Sequence, residues 1–235
     1  MLKKLLLLKC AVFLICLYSI LWPIQIAISE QNIPHENLHS ENTACAPLKQ
    51  LLSDISFTDI DTHWAREFIE KLTAKQIILG KPNNTFAPDE KITRAQFTAM
   101  VSRALNLKPI HSNYFYDVYG NFEYEISAAY EAGIIRGISQ RKFAPHRAIT
   151  REQMAVILHR AYNLLHKTDY QTFITAPYKD HRQIHFKKEV NGIYELGIMT
   201  GTHEGAFRPK KNSTRAQAAK VVWLLVAGVH CGDGG

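Results

Sequence analysis

Apolar positions recur three times at the spacing of one helical face. Phe97, Met100, Val101, Ala104 and Leu105 fall at i, i+3, i+4, i+7 and i+8. The same steps carry Met154, Ile157, Leu158, Ala161 and Tyr162, then Ala218, Val221, Val222, Leu225 and Val226. Each series is the stripe of an amphipathic helix. In front of each stripe stands a Thr followed three residues later by a Gln: Thr93 and Gln96, Thr150 and Gln153, Thr214 and Gln217. This is a capping-box pattern, in which the hydroxyl accepts a first-turn N–H and the Gln side chain reaches back to the Thr N–H. Three helices with equivalent stripes most simply bury them against one another. A shorter apolar pattern precedes each: Phe68, Ile69 and Leu72 predict a helix over about 63–75, with Ile126 and Ala129, and Val190 and Ile193, at the matching places.

The polar punctuation repeats in step with the stripes. Gly80 returns as Gly137 and Gly201, Phe86-Ala87-Pro88 as Phe143-Ala144-Pro145 and Phe207-Arg208-Pro209, and Thr93 as Thr150 and Thr214. Every landmark moves by 57 residues and then by 64, so the chain is a threefold internal repeat and reads as all-α. The glycines mark places where the backbone turns tightly or approaches a neighbour closely. The longer second offset falls in a surface loop over about 163–177.

Arg94, Arg151 and Arg215 stand one position inside the caps. A cation in a first turn opposes the helix dipole by roughly 0.3–1 kcal/mol, so a partner must recover that cost. Two partners fit. One is a carboxylate of the same repeat, Asp59, Asp117 or Asp180. The other is an external anion, held by free N–H groups of the helix terminus together with the guanidinium.

These residues carry a family resemblance. Phe57-Thr58-Asp59, His63-Trp64-Ala65, Ile77-Ile78-Leu79-Gly80, Phe86-Ala87-Pro88 and Ile92-Thr93-Arg94-Ala95-Gln96 follow in the order of the S-layer homology pattern. The second copy keeps Tyr116-Asp117, Gly133-Ile134-Ile135-Arg136-Gly137 and Thr150-Arg151-Glu152-Gln153. The third keeps Tyr178-Lys179-Asp180, Gly197-Ile198-Met199-Thr200-Gly201 and Thr214-Arg215-Ala216-Gln217. The chain therefore resembles three tandem S-layer homology domains over about residues 55–228. That resemblance implies three helix–loop–helix repeats packed as a pseudo-threefold prism around a central helical bundle. It also implies grooves between copies that bind secondary cell-wall polysaccharide, typically a pyruvylated N-acetylmannosamine unit. Carried over position by position, the glycan-binding candidates are Asp59, Trp64, Gly80 and Arg94, then Asp117, Gly137 and Arg151, then Asp180, Gly201 and Arg215. The pattern is broken where Trp64 aligns with Asn121 and His185, each followed by a Phe (Phe122, Phe186), and where the motif Glu is Gln in all three copies. Trp64 reads either as a sugar platform or as core.

Residues 1–29 contain no acidic side chain; Lys3, Lys4 and Lys9 precede an apolar run from Cys10 to Ile28, and Ala27 and Ser29 are small. This predicts a signal peptide cleaved before Glu30, with an uncleaved membrane anchor as the alternative. Residues 30–53 form a lead-in, repeats follow over 54–109, 110–170 and 171–229, and 230–235 is a tail. Past residue 29 the only cysteines are Cys45 and Cys231; in an exported protein both a disulfide between them and two free thiols fit. The chain carries +7, three units of it in the leader. What remains is too mild for a nucleic-acid partner and suits weak attraction to an anionic wall polymer.

Catalytic and metal signatures are thin. His181 and His185 are four apart without the Glu of a zinc-hydrolase helix, and Asp59 with Asp61 lacks the rest of a calcium loop. No cofactor is expected. The sequence reads as a secreted, non-catalytic wall-binding module at the cell surface. Other surface proteins are a further partner class, and a membrane is a partner only if the leader is retained. The alternative is an exported structural or interaction protein whose grooves no longer bind glycan.

Overall fold

The computed structural model describes residues 57–228; the leader, the lead-in, Cys45 and Cys231 lie outside the described residues. Among those described there are six α-helices and no strand. They are α1 (Arg66–Ala74), α2 (Arg94–Ala104), α3 (Glu123–Glu131), α4 (Arg151–Leu165), α5 (Lys187–Glu195) and α6 (Arg215–Ala227). Short 3-10 turns occupy Pro82–Asn84 and His181–Gln183. The helix expected over 63–75 starts at Arg66, because residues 60–65 form turns that include the His63 N–H to Ile60 carbonyl bond.

The second helix of every repeat opens as the pattern demands. Thr93, Thr150 and Thr214 each accept the N–H of the Gln three residues on, and that Gln side chain takes the Thr N–H. Such a cap stabilises by about 1 kcal/mol. The stripes behind the caps are buried at Phe97, Met100, Val101, Met154, Ile157, Leu158, Ala218, Val221 and Val222. Helices α2, α4 and α6 do meet one another, as equivalent stripes require. Their more extensive partners, however, are the first helices of the next repeat: α3 packs on α2, α5 on α4, and α1 on α6. Each repeat thus covers its predecessor, and the third is covered by the first.

Backbone bonds close the same circle. The Ile149 N–H donates to the Ile92 carbonyl, the Ser213 N–H to the Ile149 carbonyl, and the Ile92 N–H to the Ser213 carbonyl, each at 3.0 Å. Outside this ring sits a layer of fully buried aromatic rings, Phe86, Phe143 and Phe207, one from each Phe-x-Pro segment. The connections between repeats are fastened by carboxylates at the ends of α3 and α5. Glu131 accepts the N–H groups of Ile110 and His111 and the Tyr114 hydroxyl at 2.6–2.7 Å. Glu195 accepts the Thr172 hydroxyl and the Phe173 N–H.

Candidate functional site

The arginines do not pair with the carboxylates of their own repeats. Among the described residues no carboxylate comes within 4 Å of Arg94, Arg151 or Arg215. The first-turn N–H groups are not free either. Those of Arg94 and Ala95 donate to the carbonyls of Arg147 and Pro145, those of Arg151 and Glu152 to Lys211 and Pro209, and those of Arg215 and Ala216 to Glu90 and Pro88. With the Thr–Gln cap, every early donor of these helices is occupied, so a helix terminus cannot be the anion site here.

The guanidinium instead crosses the seam to the following repeat. Arg94 Nε donates to the Phe143 carbonyl at 3.0 Å, Arg151 Nε to Phe207 at 2.7 Å, and Arg215 Nε to Phe86 at 2.7 Å. Each guanidinium also lies over the ring of the same Phe, 4.5–5.0 Å from its centroid. Arg94 and Arg151 add bonds to the Arg136 and Thr200 carbonyls. Burial pulls all three below the ordinary arginine pKa, yet a guanidinium remains protonated at neutral pH. These bonds and ring contacts recover the dipole cost noted above.

The motif aspartates hold the carbonyls in place. Asp59 accepts the Phe86 and Ala87 N–H groups, Asp117 those of Phe143 and Ala144, and Asp180 those of Phe207 and Arg208, at 2.8 and 2.7 Å in each case. Partial burial pushes the Asp59 carboxyl up, but the two N–H groups outweigh it and leave it below its usual value. The residue after each Phe has a left-handed backbone (φ 58° at Ala87, 62° at Ala144, 58° at Arg208), a pose that costs a non-glycine residue about 1 kcal/mol. Charge-assisted bonds to both neighbouring N–H groups offset it. The aspartates therefore act on the arginines through the Phe carbonyls, and as charges from beyond 4 Å.

Three grooves open over these seams, each built from all three repeats. The first, of about 430 Å³, takes Arg215 from repeat three, Gly80 and Gln96 from repeat one, and Asn121 and Phe122 from repeat two. The second, of about 440 Å³, takes Arg94, then Gly137 and Gln153, then Phe186. The third, of about 220 Å³, takes Arg151, then Gly201 and Gln217, then Trp64. Residues grouped by copy in the sequence are thus dealt into different grooves. Trp64 faces Gly201 and Arg151 and has no part in the Gly80 groove. Asp59, Asp117 and Asp180 line none of the three.

Trp64 is 56% exposed, which removes its reading as core. The aromatic position is not lost in the other two grooves: it has moved one residue along, to Phe122 and to Phe186, the latter 45% exposed. Phe186 is fixed from behind by the buried Glu152, whose carboxylate takes the His185 and Phe186 N–H groups. The glycines serve close approach. A Cβ on Gly80 would lie 2.2 Å from the Phe57 ring, and one on Gly201 2.7 Å from Tyr178. Sequence reasoning also missed three groove-lining arginines: Arg103 and Arg160, which lie outside the repeated motif, and Arg136, which fills the motif's variable position before Gly137. Among the described residues no group of three His, Cys, Asp or Glu side chains is placed to hold a metal ion.

Known proteins resemble this chain in sequence. The family model of the S-layer homology domain matches residues 56–98, 114–155 and 177–219. An endoglucanase of Bacillus sp. (strain KSM-635) is 40% identical over 174 residues, which is 72% of this chain but 18% of that protein. An S-layer protein of Bacillus licheniformis is 36% identical over 174 residues, 72% of this chain and 20% of that protein. S-layer protein EA1 of Bacillus anthracis is 34% identical over the same length and shares. The chain thus spans about a fifth of these relatives, enzyme and non-enzyme alike. With three consecutive matches, each on one of the repeats that build the grooves, the chain belongs to the S-layer homology domain family.

Proposed function

We propose that this chain is a non-catalytic cell-wall anchoring module whose grooves bind an anionic secondary cell-wall polysaccharide of the pyruvylated N-acetylmannosamine type. One observation carries the reading: the same chemical set is assembled three times from three different copies. A buried guanidinium supplies a fixed positive charge for a carboxylate. An aromatic ring, exposed at Trp64 and Phe186 and half-buried at Phe122, offers a flat apolar face to a sugar, and the cap Gln borders the same space. The shared family with S-layer proteins supports a place at the cell surface, and a leader over 1–29 would deliver the chain there.

The test is co-sedimentation of the chain with cell-wall sacculi, before and after chemical removal of the non-peptidoglycan polymer. Binding is expected to vanish with the polymer. Replacing the arginines would confuse recognition with folding, because they bridge the seams. The informative variant is Trp64→Ala/Phe186→Ala, which removes the two groove aromatics that are exposed and leaves Phe122, packed on the core, in place. It should melt within a few degrees of the parent and bind intact walls at least about tenfold more weakly. Unchanged binding would refute the grooves as the site. Absence of binding by the parent chain to either preparation would favour an interaction protein whose grooves have lost glycan.

A further inference from the structure

The three grooves differ in uncompensated charge, and the difference is large. In the first, both cations that accompany Arg215 are neutralised: Arg103 pairs with Glu125, and Lys81 with Glu90. In the third, Leu224 stands where the first has Arg103, and Lys220 is the one cation beside Arg151 among the lining residues. The second brings together Arg94, Arg136 and Arg160. Among the described residues no carboxylate lies within 4 Å of any of the three. Arg136 and Arg160 are close enough to act on one another, and Arg94 and Arg160 are bound to the backbone on either side of Ile135. Arg136 depresses the Arg160 pKa, burial being the larger cause and Glu189 opposing from a distance. Arg94 binds the Arg136 carbonyl, and Arg160 the Ile134 carbonyl. The carboxylates that act on these arginines do so from beyond 4 Å, Asp117 on Arg94 and Glu189 on Arg160, and the Glu152 carboxylate is bound to the His185 and Phe186 N–H groups.

Three guanidiniums facing one space repel, and a single carboxylate neutralises only one of them. From this convergence we infer that the second groove is a dianion subsite, selective for a glycan unit carrying two negative charges close together, as in a phosphate monoester or paired carboxylates. The first groove, where Arg215 alone is unpaired, suits a monoanion; the third, with Arg151 and Lys220, stands between the two. Guanidinium forks match phosphate and carboxylate oxygens in pairs. Arg136, exposed at the groove mouth, would meet the ligand first, and Phe186 would carry the sugar. This inference rests on the glycan-binding reading and adds a division of labour among its sites.

The experiment is titration calorimetry of the full chain with N-acetylmannosamine 6-phosphate and, separately, with uncharged N-acetylmannosamine. The phosphorylated sugar should bind at one site per chain, at least about tenfold more tightly, and lose several-fold in affinity between 50 and 200 mM salt. Arg136→Ala/Arg160→Leu should abolish that preference; leucine already occupies the matching place in repeat three as Leu224. Arg103→Leu, in the first groove, should change it less than about twofold. The inference is overturned if the phosphate brings no gain, or if Arg103→Leu removes the gain equally. Wall co-sedimentation of the same proteins separates the two levels: intact wall binding without dianion preference sinks the subsite alone, whereas a parent chain that ignores walls sinks both.

Discussion

At the scale of single residues, one position departs from its counterparts in a way that costs stability. Helix α1 ends into Gln76 at φ 58°, whereas α3 and α5 end into Gly133 at 72° and Gly197 at 69°. Glycine enters this region freely and a side chain does not. Gln76→Gly is therefore expected to stabilise the fold by about 0.5–1 kcal/mol after the entropy of the freer unfolded chain is set against it. A urea midpoint that rises modestly would bear this out; one that falls would mean that the Gln side chain makes a compensating contact. The same scale shows what could be read in advance and what could not. The Thr–Gln caps and the groove glycines announce themselves, because local backbone needs restrict residue choice. The arginine partners do not: backbone carbonyls carry no residue identity, so the sequence pointed to same-repeat carboxylates and to an anion shared with free N–H groups, and not to the Phe carbonyls across the seam. The shift of the aromatic from the Trp64 position to Phe122 and Phe186 likewise became meaningful only once both were found lining a groove.

At the scale of elements, helix stripes were legible because periodicity is a property of a few turns of chain. Which helix covers which was not, since α1 packs against α6 across most of the sequence. The connections depend on single carboxylates, and Glu131 makes that dependence measurable. The Tyr114 hydroxyl, aided by the Ile110 and His111 N–H groups, lowers its pKa from 4.5 to about 2. A depressed folded-state value means that the contribution is complete above about pH 5 and drains away as pH falls toward 2. Glu131→Gln should thus melt below the parent at neutral pH, with the gap closing toward pH 2. The His159 pKa is lowered as well, but there it is the neutral form that gains, chiefly through burial with Lys188 assisting and Glu189, Tyr170 and Asp169 opposing. Its penalty, growing as pH drops below 6.5, affects parent and variant alike and cancels in the difference. A gap independent of pH would assign Glu131 a packing role only.

At the scale of the whole molecule, the repeats are not independent modules. Arg215 reaches from the last repeat to the Phe86 carbonyl and ring of the first. Losing a charge-assisted bond and a cation–π contact together costs about 2–4 kcal/mol. Arg215→Ala should therefore lower stability by that amount for the entire described unit, with tryptophan fluorescence, to which Trp64 and Trp223 both contribute, and far-ultraviolet dichroism reporting one shared transition. Two separated transitions would show that the repeats fold piecemeal.

The circle of donors through Ile92, Ile149 and Ser213 also has a sense of rotation. Each groove draws its arginine from the repeat behind, its glycine turn from the repeat itself, and its aromatic from the repeat ahead. Cutting the circle at another point and rejoining the ends preserves all three neighbourhoods. Exchanging any two repeats reverses the sense, and every groove then receives a combination of arginine, turn and ring that the present molecule does not contain. The chain's recognition chemistry is in this respect handed: it resides in the cyclic order of the copies as much as in their composition.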